Sequence, residues 1–248
     1  PSPHAPIIPN DEFDRTSAAG PYGDFVTETD ASAGQLLQAL EESGQADNTI
    51  VVFSADNGPE KYAYARDANF DHWSAYPLRG LKRDIYEGGH RVPFLIRWPG
   101  VTEAGTTNES LVSQIDLMAT FADALDFELP SDQAHDSHNL LPLLKGEVDR
   151  IRDTHIHNTY EGQWAIRHGD WVLVDHKDGY RSGRVADWET KHKYPADDDQ
   201  PAELFNLVED LEQRHDLASR YPERVENLRK RMAEIKNRGH SAPRLAGD

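Results

Sequence analysis

Thr49-Ile50-Val51-Val52-Phe53-Ser54-Ala55-Asp56-Asn57-Gly58-Pro59 joins an apolar run to a polar stop. Ile50 through Phe53 is continuous, β-branched and aromatic, the pattern of a strand buried on both faces. Asp56-Asn57-Gly58-Pro59 then ends it as a turn. A carboxylate and an amide carbonyl therefore stand at the carboxyl end of an expected parallel central strand, where open α/β sheets place their sites. Two hard oxygens suit Ca²⁺ or Mg²⁺ far better than a soft metal. Taken alone, Asp-Asn-Gly after a strand is most often just a turn, so the weight rests on a second stretch downstream.

That stretch repeats the pattern. Leu78-Arg79-Gly80-Leu81-Lys82 leads through Tyr86-Glu87-Gly88-Gly89 to a strand over 92–98, closed by Pro99-Gly100. The glycine-rich loop carries Lys82, a point charge with three donors suited to an anionic oxygen. Between Arg79 and Arg97 there are five Lys or Arg against two acids, with His90 besides. A basic island of this kind fits a site for a small anion.

Asp56-Asn57-Gly58-Pro59, Arg79-Gly80-Leu81-Lys82, Tyr86-Glu87-Gly88-Gly89, Arg91-Val92-Pro93 and Trp98-Pro99-Gly100 come in this order. Together they resemble the second half of a type I, formylglycine-dependent sulfatase of the alkaline phosphatase superfamily, and the resemblance runs over nearly the whole chain. It implies an α/β fold, part of a doubly wound mixed sheet flanked by helices, over residues 1–150. It implies a C-terminal α+β subdomain of antiparallel strands with a closing helix over 151–248. It also implies Asp56 and Asn57 as metal ligands, for Ca²⁺ ahead of Mg²⁺. Lys82 becomes a ligand of the sulfate. His4, in Pro3-His4-Ala5-Pro6, becomes a sulfate ligand or general acid. The flanking prolines fix the backbone that carries this imidazole, and a histidine can give a proton near neutral pH.

The other parts of such a site are not found in the sequence. It has no Cys, and no Ser-x-Pro-x-Arg segment that could mature to formylglycine. Two ligands are also too few for the six to eight oxygens Ca²⁺ prefers. The expectation is an N-terminal half, as a separate or cleaved chain, that supplies the nucleophile and completes the sheet. The implied activity is hydrolysis of a sulfated carbohydrate or polysaccharide, in a periplasmic or secreted protein. Two alternatives stand beside it: a phosphonate or phosphodiester hydrolase of the same superfamily, and a catalytically inactive module that binds sulfated glycan.

Composition narrows the partners. The 248 residues carry a net charge of −18, from 44 acids against 26 Lys and Arg. Such a surface argues against nucleic acid and against a polybasic membrane contact. No apolar run is long enough to span a bilayer.

In chain order, residues 1–23 read as an extended loop. A helix is expected over 30–43, capped by Thr29 or Asp30, with Leu36, Leu37 and Leu40 as its apolar stripe and Gly44 as its end. The connection 60–77 carries Tyr62, Tyr64, Phe70, Trp73 and Tyr76, placed to stack on sugar rings or to pack under the loop. A helix over 111–125 comes next, with Ser113 as cap and Asp116 in a structural role. His135 and His138 read as solvated. Short strands are expected over 154–158, 164–167 and 171–175, with a hairpin turn at Gly169-Asp170, and a last strand over 203–207. Residues 177–201 read as a polar surface loop. Pro222 opens an amphipathic helix to 237, with Val225, Leu228, Met232 and Ile235 on one face and a Glu226–Lys230 pair opposite.

Overall fold

Pro21 stands in the first turn of a long helix, α1 (Gly20–Glu42), where its missing N–H is no loss. The computed structural model describes residues 3–160, 162–194 and 200–243. The helix begins ten residues before the expected start. Thr27 and Thr29 do not cap it; their hydroxyls donate to the carbonyls of Gly23 and Phe25 one turn back, which keeps short polar side chains inside a helix. It ends at Gly44, whose φ of +68° closes the last turn as expected.

Strand β1 (Val51–Ser54) comes next, then helix α2 (Ala63–Phe70), the short turn α3 (Glu87–His90) and strand β2 (Phe94–Arg97). β1 and β2 pair antiparallel, with Val51 opposite Arg97 and Ser54 opposite Phe94. The expected parallel arrangement is thus corrected for this pair. The Gly58 N–H donates to the Gly89 carbonyl at 3.0 Å, so the chain enters β2 at the end where it left β1. A parallel pair needs a crossover to the opposite end.

Helices α4 (Asp116–Ala124) and α5 (Leu141–Leu144) lead to strands β3 (Thr154–Asn158), β4 (Trp164–His168) and β5 (Trp171–Val174). Helix α6 (Ala186–Lys191), strand β6 (Glu203–Asn206) and helix α7 (Pro222–Arg238) complete the order. The last four strands form one antiparallel sheet in the order β3-β4-β5-β6. Between β4 and β5, His168 faces Trp171 across a two-residue turn. Gly169, at φ +57°, takes the first central position, as a type II′ turn requires.

By contacts the chain falls into two compact units, Pro1–Gly100 with Tyr180–Lys193, and Val101–Gly179 with Tyr194–Asp248. The cut differs from the expected division at 150: residues 101–150 cluster with the C-terminal sheet. In the first unit, segment 180–193 is no polar surface loop. It carries α6, and Trp188 is buried against Trp73 at 4.1 Å between ring centroids and Tyr64 at 5.3 Å. These aromatics of the 60–77 connection therefore pack under it rather than standing free for a sugar. Residues 195–199, with the expected acidic triplet at 197–199, lie outside the described residues.

The first unit also leaves apolar surface uncovered. Leu36 on α1 is 70% exposed, and the cross-strand pair Phe53 and Leu95 is 42% and 58% exposed. The expected burial of β1 on both faces is not found within this chain, because β2 is its single hydrogen-bonded neighbour among the described strands.

The second unit is closed by α7. Val225, Leu228 and Met232 are buried against Ile166, Leu173 and Leu204 of the sheet, so the helix covers the small sheet as its periodicity predicts. No Glu226–Lys230 ion pair forms among the described residues; Lys230 lines a surface cleft instead. Asp116 does not wait for a cap from Ser113. Its own carboxylate accepts from the Ser113 N–H and the His138 N–H and pairs with buried Arg152. His138 is therefore buried rather than solvated.

Next to this ion pair, the Arg152 guanidinium lies 3.2 Å from His155 Nδ1, which accepts from it. Burial lowers His155 to about 3, and the charges of His157, Arg152 and His138 act the same way against Asp136. A histidine kept neutral in the folded state lets the unfolded chain take up its proton first. Its contribution to stability is whole above about pH 6.5 and is lost as pH falls toward 3. Replacing His155 with Gln, which still accepts from Arg152, is predicted to flatten the loss of stability between those limits by one proton's worth of slope in chemical denaturation. An unchanged slope would contradict the neutral, half-buried imidazole.

Candidate active site

The turn after β1 and the loop before α3 are locked together through their backbones. Gly58 is buried against Gly88: a Cβ on Gly58 would fall on the Gly88 carbonyl, and a Cβ on Gly88 would fall on the carbonyls of Arg79 and Gly80. Neither position has room for a side chain. The Gly88 N–H donates to the Arg79 carbonyl at 2.7 Å, and the Lys82 N–H donates to the Pro59 carbonyl at 2.8 Å. The last bond places Lys82 directly against the Asp56–Pro59 turn.

Lys82 itself sits on a four-residue turn. The Asp84 N–H donates to the Leu81 carbonyl at 2.8 Å, and Arg83, at φ +79°, occupies a place that favours glycine. Glu60 steadies that turn from the other side. Its carboxylate takes Arg83 Nη2 at 2.6 Å and lies 3.9 Å from Lys82 Nζ. The hydrogen bond from Arg83 holds the Glu60 carboxyl below the usual range.

Asp84 pins the turn to segment 180–193. One carboxylate oxygen accepts from the Arg181 and Ser182 N–H groups at 2.6 and 2.8 Å. The other accepts from the Ser182 hydroxyl at 2.6 Å and the Leu81 N–H at 2.8 Å. Burial pushes this carboxyl up, against the pull of its four donors. Next to it, the guanidinium of buried Arg79 stacks over the Tyr86 ring at 3.9 Å, and its Nε donates to the Tyr180 hydroxyl at 2.9 Å. The sequence alone assigns no role to Glu60, Asp84 or Arg79. The signal for Asp84 is the spacing Leu81-Lys82-Arg83-Asp84, a turn with an acid at its last position.

Asp56, Asn57 and Lys82 are thus gathered in one loop cluster. Asp56 is exposed, and its Oδ1 accepts from the Asn57 N–H at 3.0 Å. The Asn57 amide nitrogen donates to the Gly58 carbonyl at 2.9 Å, so nitrogen and oxygen have distinct roles and the amide oxygen is left as acceptor. The donor set is two hard oxygens, which fits a hard cation and supplies part of its shell. Among the described residues no group of three or more His, Cys, Asp or Glu is placed to hold a metal. His4 is not joined to this cluster by any hydrogen bond or ion pair among the described residues. It is exposed, with Nδ1 at 2.9 Å from the Ala5 carbonyl.

The arrangement is that of an α/β protein which gathers hard-oxygen donors and a lysine at the carboxyl end of a strand. Comparison with known proteins agrees. The profile of the Sulfatase family matches residues 2–127, and that of the N-sulphoglucosamine sulphohydrolase C-terminal region matches residues 81–237. The chain belongs to the sulfatase family. It is 30% identical over 239 residues to an N-acetylgalactosamine-6-O-sulfatase of Bacteroides thetaiotaomicron, covering 95% of this chain and 45% of that protein. It is 39% identical over 146 residues to the N-acetylgalactosamine-6-sulfatase of Homo sapiens, covering 58% and 27%. A solved structure described under the metabolism of multiple glycosaminoglycans by Bacteroides thetaiotaomicron superposes with a TM-score of 0.78 at 27% identity, covering 95% of this chain and 48% of that one. The chain thus spans less than half the length of these relatives.

Two glycines separate packing from flexibility. Gly88→Ala is predicted to displace the lysine loop, destabilising the protein by about 1–3 kcal/mol. Gly34→Ala, on α1 with nothing within 4 Å of its Cβ, is predicted to stabilise it by up to about 1 kcal/mol. Equal shifts for the two variants in thermal unfolding would contradict the close backbone contact.

Proposed function

We propose that this chain forms the C-terminal part of the active centre of a sulfatase, a sulfuric ester hydrolase acting on a sulfated carbohydrate or polysaccharide. The observation that carries the reading is the Lys82 N–H to Pro59 carbonyl bond, which seats the lysine beside the Asp56-Asn57 donors. Asp56 and Asn57 would hold a Ca²⁺ ion through their side-chain oxygens, in preference to Mg²⁺. Ca²⁺ and a formylglycine nucleophile, the latter expected outside this chain, would supply the positive charge and the attacking oxygen.

Lys82 then binds a sulfate oxygen. Its ammonium offsets the negative charge of that oxygen and orients the sulfur for attack, while the charge released by S–O cleavage falls on the departing alkoxide, a kind of pre-set electrostatic stabilisation. Glu60 keeps Lys82 from folding away, since Arg83 holds the carboxylate from the other side. His4 binds sulfate or gives a proton to the leaving alkoxide, so that water and ester become alcohol and free sulfate. In this structure its ring is exposed, so the role requires it to be brought to the substrate in the assembled protein.

The partner required is an N-terminal half of the same protein, as a separate or cleaved chain. Two facts support it: the chain spans less than half of its relatives, and α1 and the β1–β2 pair leave Leu36, Phe53 and Leu95 uncovered. The names of the relatives favour sulfated amino sugars as the first substrates to try.

In the assembled protein, Lys82→Ala is predicted to lower turnover of a sulfate ester by roughly two to four orders of magnitude. Asp56→Ala is predicted to abolish tight Ca²⁺ binding in titration calorimetry. Near-normal turnover in the first variant would remove Lys82 from the site, and unchanged affinity in the second would remove the metal role. Faster turnover of matched phosphate or phosphonate esters than of sulfates would overturn the substrate class.

A further inference from the structure

A second concentration of positive charge lies on the second unit. An open cleft of about 850 Å³ lies along α7, bounded by its start and by His168 at the end of β4. Arg220, Arg224, Lys230 and Arg231 line it, against the carboxylates of Glu223 and Glu234. Four cations therefore gather in one concavity of a chain whose net charge is −18.

The neighbouring arginines are neutralised. Arg229 pairs with Asp175 at 2.6 Å, and Arg214 with Glu212 at 2.8 Å. Among the described residues, none of the four cations in the cleft has a carboxylate within ion-pair distance. Asp153 lies nearby, 3.8 Å from His168, and the charges of His168 and Arg231 help hold its carboxyl low after its bond from Thr154. It does not pair with Arg231, whose Nη1 donates weakly to the Thr154 hydroxyl at 3.4 Å.

The arginines are also pre-positioned. The Arg224 guanidinium stacks over the Trp171 ring at 4.2 Å, and that of Arg220 lies over Tyr221 at 5.3 Å. Trp171 and Tyr221 themselves meet edge to face at 5.4 Å. A guanidinium stacked by its face keeps its planar N–H edge for a bidentate oxyanion. Arg224, Asn227 and Arg231 succeed one another at i, i+3 and i+7 on one side of α7, with Arg220 just before its start. At the rise of an α-helix the stretch from Arg224 to Arg231 runs about 10 Å, longer than one small anion and suited to a chain of them.

We propose that this cleft binds a stretch of anionic polysaccharide bearing sulfate groups, through Arg220, Arg224 and Arg231 on the charges and Asn227 on a hydroxyl, and so holds the polymer to the protein by a site that shares no residue with the Asp56–Lys82 cluster. The polyanion part stands on the cleft alone. That the polyanion is a sulfated sugar rests on the sulfatase reading. Net acidity opposes every polyanion alike, so the sulfatase reading is what selects the sulfated sugar over duplex nucleic acid and anionic lipid.

The test uses the assembled protein carrying Lys82→Ala, so that the probe is not consumed. Its affinity for a chondroitin sulfate oligosaccharide is measured by titration with Arg224 and Arg231 intact and with both changed to Ala. The expected result is a loss of about tenfold in the Arg224→Ala, Arg231→Ala protein and a weaker salt dependence. In the protein with Lys82 intact, the same two changes should leave turnover of a small aryl sulfate unaltered. Unchanged affinity overturns the proposal. Equal binding of duplex DNA or phosphatidylserine vesicles through these arginines also overturns it, because the cleft would then be a general polyanion surface. If no sulfate ester is turned over by any form, yet the arginine changes still weaken chondroitin sulfate, the cleft stands and the sulfatase reading falls.

Discussion

Contact between Gly58 and Gly88, with no side chain between them, sets the geometry of everything described at the candidate active site. It brings the end of β1 against the loop before β2 and forces these strands to run antiparallel. It also sets the Asp56–Pro59 turn against the turn that carries Lys82. Peptide groups packed this closely leave few positions open, since moving one turn breaks the Gly58–Gly89, Lys82–Pro59 and Gly88–Arg79 bonds together. Side chains farther out reinforce the same arrangement. Asp84 ties the lysine turn to segment 180–193, and Glu60 offsets the left-handed conformation of Arg83 with an ion pair.

Charge is organised in the same way on both units. The chain is strongly acidic and many of its cations are paired, yet at both sites cations remain that carboxylates do not fully cancel. At Lys82 the nearest carboxylate, Glu60, is shared with Arg83 and stands at 3.9 Å, close enough to orient an ammonium but not to neutralise it fully. At the α7 cleft the guanidinium groups of Arg220 and Arg224 rest over aromatic rings instead of on acids. By contrast, Arg152 is buried and paired with Asp116, with His155 as a second partner. There, desolvation makes the pair a structural lock whose loss is expensive.

The parts governed by period and punctuation are legible in the sequence. α7 shows in Val225, Leu228 and Met232, the C-terminal strands as short apolar runs between turn residues, and the β4–β5 turn in Gly169. The motifs around Asp56, Lys82 and Gly88 point to the family without any knowledge of the fold. What is not legible depends on partners distant in sequence. The direction of β1 against β2 is set by Gly58 meeting Gly89. The start of α1 is hidden because Thr27 and Thr29 look like breakers until their hydroxyls are seen bonding back along the helix. Segment 180–193 reads as polar because its few apolar residues are spaced without a period, although Tyr180 and Trp188 among them are buried. Asp84 is inconspicuous for a related reason: its four donors come from its own turn and from residues nearly a hundred positions away.

The central claim is that the Asp56–Pro59 turn and the Lys82 loop act as one anion and cation site. A crystal structure of the assembled protein with Ca²⁺ and a sulfated sugar tests it most directly. The Asp56 and Asn57 oxygens are expected at about 2.3–2.6 Å from the ion. Lys82 Nζ is expected at about 2.7–3.2 Å from a sulfate oxygen. A sulfate bound elsewhere, with Lys82 still turned only to Glu60 and no ion at the turn, would contradict it.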